Sequence, residues 1–70
     1  MKWASSGFNV AISDCGEYEV RKSTDPIRGE FYNAWHLPTG KHIAADHKKA
    51  VVIAACVAHK ARLAAMAEAA

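Results

Sequence analysis

From Phe8 to Ser13 the chain reads FNVAIS, with Phe8, Val10 and Ile12 alternating against Asn9, Ala11 and Ser13. A period of two is that of a strand with one buried face. DCG at 14–16 follows, and Asp with Gly supplies tight-turn chemistry. EYEVRKS then alternates Tyr18 and Val20 against Glu17, Glu19 and Arg21. This predicts a second strand, antiparallel to the first. TDPIRG is a loop that Pro26 breaks and Gly29 closes. The third strand is EFYNAWHL (30–37), ended by PTG. On it Phe31, Trp35 and Leu37 alternate with Tyr32, Ala34 and His36. The first set offers more area and is expected inside. The reverse, with Tyr32 and Ala34 beneath a helix, is nearly as good, because a one-residue slip exchanges the faces. KHIAA (41–45) fits either a short return strand or the approach to a helix.

Asp46 suits a helix N-cap, where its carboxylate accepts from free amides of the first turn. No Gly or Pro interrupts the chain from His47 to Ala67. The pattern predicts one long helix over about 47–67, with 68–70 frayed. The fold class expected is α+β. A three-stranded antiparallel meander packs against one C-terminal α-helix, in a single small domain spanning 1–70.

The predicted helix carries two apolar stripes where a small domain needs one. At 100° per residue, Ala50, Ala54, Val57, Ala61 and Ala64 fall on one side, flanked by Ile53 and Ala58. Small residues there permit close approach to a sheet, so this side is expected to be the core face. Lys48, Lys49, Lys60 and Arg62 mark the other side. Yet Val52, Cys56, His59, Leu63 and Met66 lie there too, spaced 4, 3, 4, 3. That is the spacing of a helix–helix seam. These five are the expected protein-interaction residues, in a homodimer or against a larger protein, and His59 would make the association pH-sensitive.

Composition agrees with a globular chain: 51% of residues are hydrophobic and 23% charged. Seventy residues give a marginal core, so any burial against a partner matters more than in a large protein. The net charge of +2 is far from the strong excess of a dedicated nucleic-acid binder. Even so, bases gather from Lys41 to Arg62. The alternative reading is therefore nucleic-acid binding through the basic helix start and the sheet face, using Arg21, Lys41, Lys48 and Lys49.

Candidate chemistry is thin. Cys56 and His59 are i, i+3 on one helix. With His36, His42 or Cys15 they could contribute to a zinc site, but no second paired motif accompanies them, and no metal is expected. Read as nucleophile and base, they lack a third group to orient the imidazole. The four glycines read as turn residues and form no phosphate loop. No catalytic residue, cofactor or small-molecule substrate is expected, and the chain reads as a non-enzyme. Cys15 and Cys56 are expected to be free thiols. MKWASSGFNV shows no apolar run of a secretory signal, and the longest run, AVVIAACVA, is too short to span a bilayer. A cytoplasmic protein without membrane contact is expected.

Trp3, SDCGEY (Ser13, Asp14, Gly16, Tyr18), YNAW (Tyr32, Ala34, Trp35) and CVAH (Cys56, His59) together resemble small, mostly uncharacterised proteins encoded by phages and prophages. The resemblance covers roughly residues 3 to 59 and departs from Lys60 onward. It implies a β-β-β-α shape and a phage or prophage setting, and carries no activity. The outline is also similar to the DNA-binding arms of some integrases, an analogy of fold alone.

Overall fold

A computed structural model describes residues 1–69. Five strands form one antiparallel sheet in sequence order: β1 (Trp3–Gly7), β2 (Val10–Ser13), β3 (Tyr18–Asp25), β4 (Gly29–His36) and β5 (Lys41–Asp46). One helix, α1 (Lys49–Ala69), follows and lies across one face. The class is α+β with a C-terminal helix, as the pattern predicts, but the meander has five strands where three were expected.

The two additional strands have different causes. KHIAA resolves as β5, which pairs with β4 from His36↔Lys41 to Tyr32↔Asp46. Ile43 is an extra residue on that strand, because Trp35 opposes His42 while Ala34 opposes Ala44. β1 carries almost no hydrophobic pattern: only Trp3 is partly buried and the rest of WASSG is exposed. Its stability comes from pairing with β2, as in Trp3↔Ser13 and Ser5↔Ala11. Phe8 is therefore no strand residue. It stands at the tip of the β1–β2 hairpin, 93% exposed, beside Asn9 at φ 59°. Asn is among the few side chains that tolerate this left-handed region.

The β2–β3 turn forms where DCG predicts it. The Gly16 amide donates to the Ser13 carbonyl at 2.9 Å, with Gly16 at φ 73°. The Asp46 carboxylate accepts from the Lys48 amide at 2.8 Å, turning the chain into a helix that begins at Lys49 rather than His47. Glu68 and Ala69 are helical, and the expected fraying at Ala70 lies outside the described residues.

Both face assignments are reversed from expectation. The core is Tyr18, Val20, Ala34, Val52 and Cys56. On β4 it is Ala34 and His36 that are buried beneath the helix, with Tyr32 packed at their margin. Phe31 and Trp35 are half-buried on the other face, and Leu37 is exposed. On the helix, Val52, Cys56 and His59 turn to the sheet, while Ala50, Ala54, Val57, Ala61 and Ala64 face solvent.

The two reversals share one physical reason. Ala34 and Ala44 sit side by side across β4 and β5, so this face offers a shallow bed. A helix can approach it closely by presenting medium-sized side chains, and Val52 and Cys56 are fully buried there. Trp35 and Phe31 on the same face would hold the helix away. Turning Val52 and Cys56 inward also removes more apolar area from water than turning alanines inward. Full burial of a valine contributes about 1.5–3 kcal/mol.

Candidate interaction surfaces

A polar cluster fastens the helix to the sheet. The Tyr18 hydroxyl lies 2.7 Å from His59 Nδ1, both groups buried. Burial, reinforced by His36, Lys41 and Arg62, pushes the His59 pKa below its ordinary value. The neutral imidazole then accepts from the phenol, whose own pKa is raised by burial first and by Glu17 second. The His36 ring lies 4.9 Å from the His59 ring and 5.1 Å from the Tyr18 ring. His36 Nδ1 bonds the Thr39 hydroxyl at 2.7 Å. Its Nε2 is buried 3.8 Å from a Glu17 carboxylate oxygen, too far for a hydrogen bond.

This cluster answers for the sequence candidates Cys56 and His59. The fold gathers His36, Cys56 and His59 beneath one helix, yet among the described residues no group of three or more His, Cys, Asp or Glu could hold a metal ion. Cys56 is fully buried, and burial raises its pKa, the opposite of an activated nucleophile. Cys15 is exposed at the β2–β3 turn. The Ser13 hydroxyl, the Glu17 amide and Lys60 favour its thiolate.

Of the five residues expected to form a seam, Val52, Cys56 and His59 are thus withdrawn into the core. They cannot meet a partner without unpacking the sheet. Leu63 and Met66 continue the same stripe but lie past the sheet, 38% and 66% exposed. Every residue from Lys60 to Glu68 is exposed, and the helix extends about 13 Å beyond His59.

The outward helix face now holds the unpartnered apolar surface. Ala50, Ala54, Val57, Ala58, Ala61 and Ala65 are all exposed and span about 100° of the helix. Lys60 and Arg62 flank this strip without entering it. By length and composition Lys49–Glu68 is apolar enough to cross a membrane, with a mean hydropathy of 1.6, and only 17% of that window is buried. An apolar helix left this open is short of a covering surface.

Among the described residues, no helix covers the opposite sheet face. Its cross-strand rows run Ile12–Glu19–Trp35–His42 and Val10–Arg21–Asn33–Ala45, with Ser23–Phe31 beyond them. Arg21 donates from Nε to Glu19 at 3.0 Å, and His42 donates from Nε2 to the Asn33 side-chain oxygen at 3.1 Å. On the helix side, β1 and β2 stay uncovered and leave a groove of about 410 Å³ bordered by Trp3, Val20, Tyr32 and Lys49.

The four bases of the alternative reading do not converge. Arg21 belongs to the open sheet face, Lys49 to the groove on the other side, and Lys48 to the helix start. Lys41 sits opposite His36 at the far end of β5. Pattern reasoning missed Phe31 and Trp35 as surface groups, because it assigned the larger rings to the core, and it gave Arg28 no role.

Comparison with known proteins finds no family model, no curated protein and no solved structure that matches this chain. The resemblance to phage and prophage proteins gains no support from it.

Proposed function

We propose that this protein is a small interaction module that pairs with a second copy of itself through the outward face of α1. One observation carries the reading. The exposed alanines and valines between 50 and 65 stand at 50, 51, 54, 57, 58, 61, 64 and 65, separated by 1, 3, 3, 1, 3, 3 and 1 positions, a series that reads the same in both directions. Such a strip is self-complementary about a two-fold axis between Val57 and Ala58. In an antiparallel pair Ala50 meets Ala65, Ala54 meets Ala61, and Val57 meets Ala58. Small side chains let two helix backbones approach to about 8 Å, near the lower end of interaxial distances.

The charges agree with this arrangement. Glu68 of one copy lies opposite His47 and Lys48 of the other, and the helix dipoles run antiparallel. Lys60 and Arg62 face Ala55 and Ile53, so no like charges meet. A helix pair about 30 Å long is at the small end of stable interfaces. A dimer that dissociates in the micromolar range is the expected behaviour.

A bilayer is the other environment that could cover this helix. The sheet argues against it: β1 and β5 are open edges, β5 lies against the helix itself, and unpaired edges do not enter hydrocarbon.

Light scattering over a dilution series tests the proposal. The wild-type protein should pass from monomer to dimer with concentration, and Ala54→Glu and Ala61→Glu should remain monomeric with unchanged circular dichroism. A monomer at all concentrations, or a dimer indifferent to both substitutions, refutes the pairing. Flotation of the folded protein with lipid vesicles would refute it in favour of a membrane.

A further inference from the structure

The open face of the sheet carries two similar stations on one strand. At the first, Phe31 packs edge-on to His47, with ring centroids 6.5 Å apart, and borders a cleft of about 270 Å³ shared with Arg28, Ala45 and Asp46. At the second, Trp35 packs edge-on to His42 at 5.3 Å and borders a cleft of about 280 Å³ shared with Glu19, Arg21, Leu37 and Gly40. Each station thus combines one half-buried aromatic ring, one histidine inclined against it and one arginine. Both rings project from the same side of β4, four residues apart, so they are separated by about 13 Å.

We infer that this face binds single-stranded nucleic acid, with one unpaired base stacked at each station and the intervening phosphates near Arg21 and Arg28. The ligand implied by two separated rings with cations beside them has planar π-groups joined by an anionic chain. Sheet-borne aromatics that stack bases are an established solution to this recognition problem. Each histidine ring is steeply inclined to its aromatic partner, by 72° at Phe31 and 62° at Trp35.

The two carboxylates at the stations are both occupied. Glu19 is tied to Arg21 and its side chain is only 14% exposed, while the Arg21 side chain is 56% exposed. Asp46 is turned to the Lys48 amide. The cations therefore face solvent more than the acids do. Duplex DNA is the poorer fit, because its bases are already stacked and a flat platform cannot reach them.

The surface lies on the opposite side of the sheet from α1, so this inference does not depend on helix pairing. Fluorescence anisotropy of a labelled oligothymidylate of about 12 nucleotides tests it. The wild-type protein should bind it, and binding should weaken as salt rises. A log–log slope between about −1 and −2 corresponds to two phosphate contacts. Phe31→Ala and Trp35→Ala should each weaken binding roughly tenfold, the loss of one stacking contact. Arg21→Gln and Arg28→Gln, both at exposed positions, should flatten the salt dependence and leave the fold unaltered by circular dichroism. Equal affinity for a duplex of the same sequence would overturn the inference, because charge alone would then explain binding. So would undetectable binding by a folded protein, or affinity unaffected by both arginine substitutions. Association of copies that Trp35→Ala abolishes, without oligonucleotide binding, would assign the face to a protein contact.

Discussion

The Tyr18 hydroxyl and His59 Nδ1 meet at 2.7 Å in the interior, joining the middle strand of the sheet to the middle of the helix. The bond makes a buried histidine tolerable, since an unpartnered imidazole there would incur its full desolvation cost. Tyr18→Phe keeps the ring and removes the hydroxyl, leaving His59 Nδ1 buried and unpaired. The expected loss is about 1–3 kcal/mol. For a domain of this size each kcal/mol lowers Tm by about 4–8 °C. Thermal unfolding followed by circular dichroism checks it, and an unshifted Tm would show that the bond contributes nothing net.

The same histidine gives stability a pH dependence. Burial, His36, Lys41 and Arg62 hold the folded pKa of His59 below its ordinary value of 6.5. The unfolded chain therefore takes up the proton first. The contribution is complete above 6.5 and is lost as pH falls through that value toward the lower folded pKa. Urea midpoints should decrease from about pH 7.5 to about pH 5.5, the range in which histidine titrates. His59→Gln should show a shallower decrease. A wild-type midpoint that holds constant across this range would contradict a neutral buried imidazole.

The two thiols should separate cleanly by reactivity. Cys15 is exposed and its thiolate is favoured first by the Ser13 hydroxyl at 3.3 Å. Cys56 is fully buried with a raised pKa. An aromatic disulfide reagent should modify one thiol rapidly in the native protein and the second only on unfolding. Ser13→Ala should slow the first phase. Two thiols reacting at one rate would place Cys56 outside the core.

The reversed helix predicts opposite outcomes for two residues on one stripe. Val52→Ala opens a gap over Ala34 and Ala44 and should destabilise the fold by about 2 kcal/mol. Leu63→Glu falls beyond the sheet and should change stability by less than about 0.5 kcal/mol. Chemical denaturation of the two variants decides the matter. A large loss at Leu63 with none at Val52 would require the helix to turn its other face to the sheet.

Much of the strand layout was legible in the chain. Alternation marked Tyr18 and Val20, turn chemistry marked Gly16 and Gly29, and an uninterrupted run of helix formers marked α1. β1 was not legible, because WASSG contains one large apolar residue and relies on hydrogen bonds exchanged with β2. β5 was ambiguous because Ile43 breaks the alternation as an extra residue in the strand.

The interaction surfaces were less legible, and the reason is size matching. Sequence determined that β4 has a face of larger rings and a face of Ala34, Tyr32 and His36, and that α1 has a face of alanines opposite Val52, Cys56 and His59. It could not determine which faces meet. Tertiary structure decided this through contacts between residues far apart in the chain. Ala34 and Ala44 make a bed that Val52 and Cys56 fill, and Tyr18 supplies the partner that His59 needs. Once those contacts turn the smaller sheet face inward, Phe31 and Trp35 have only the open face to occupy, and the alanine strip of the helix is left to solvent.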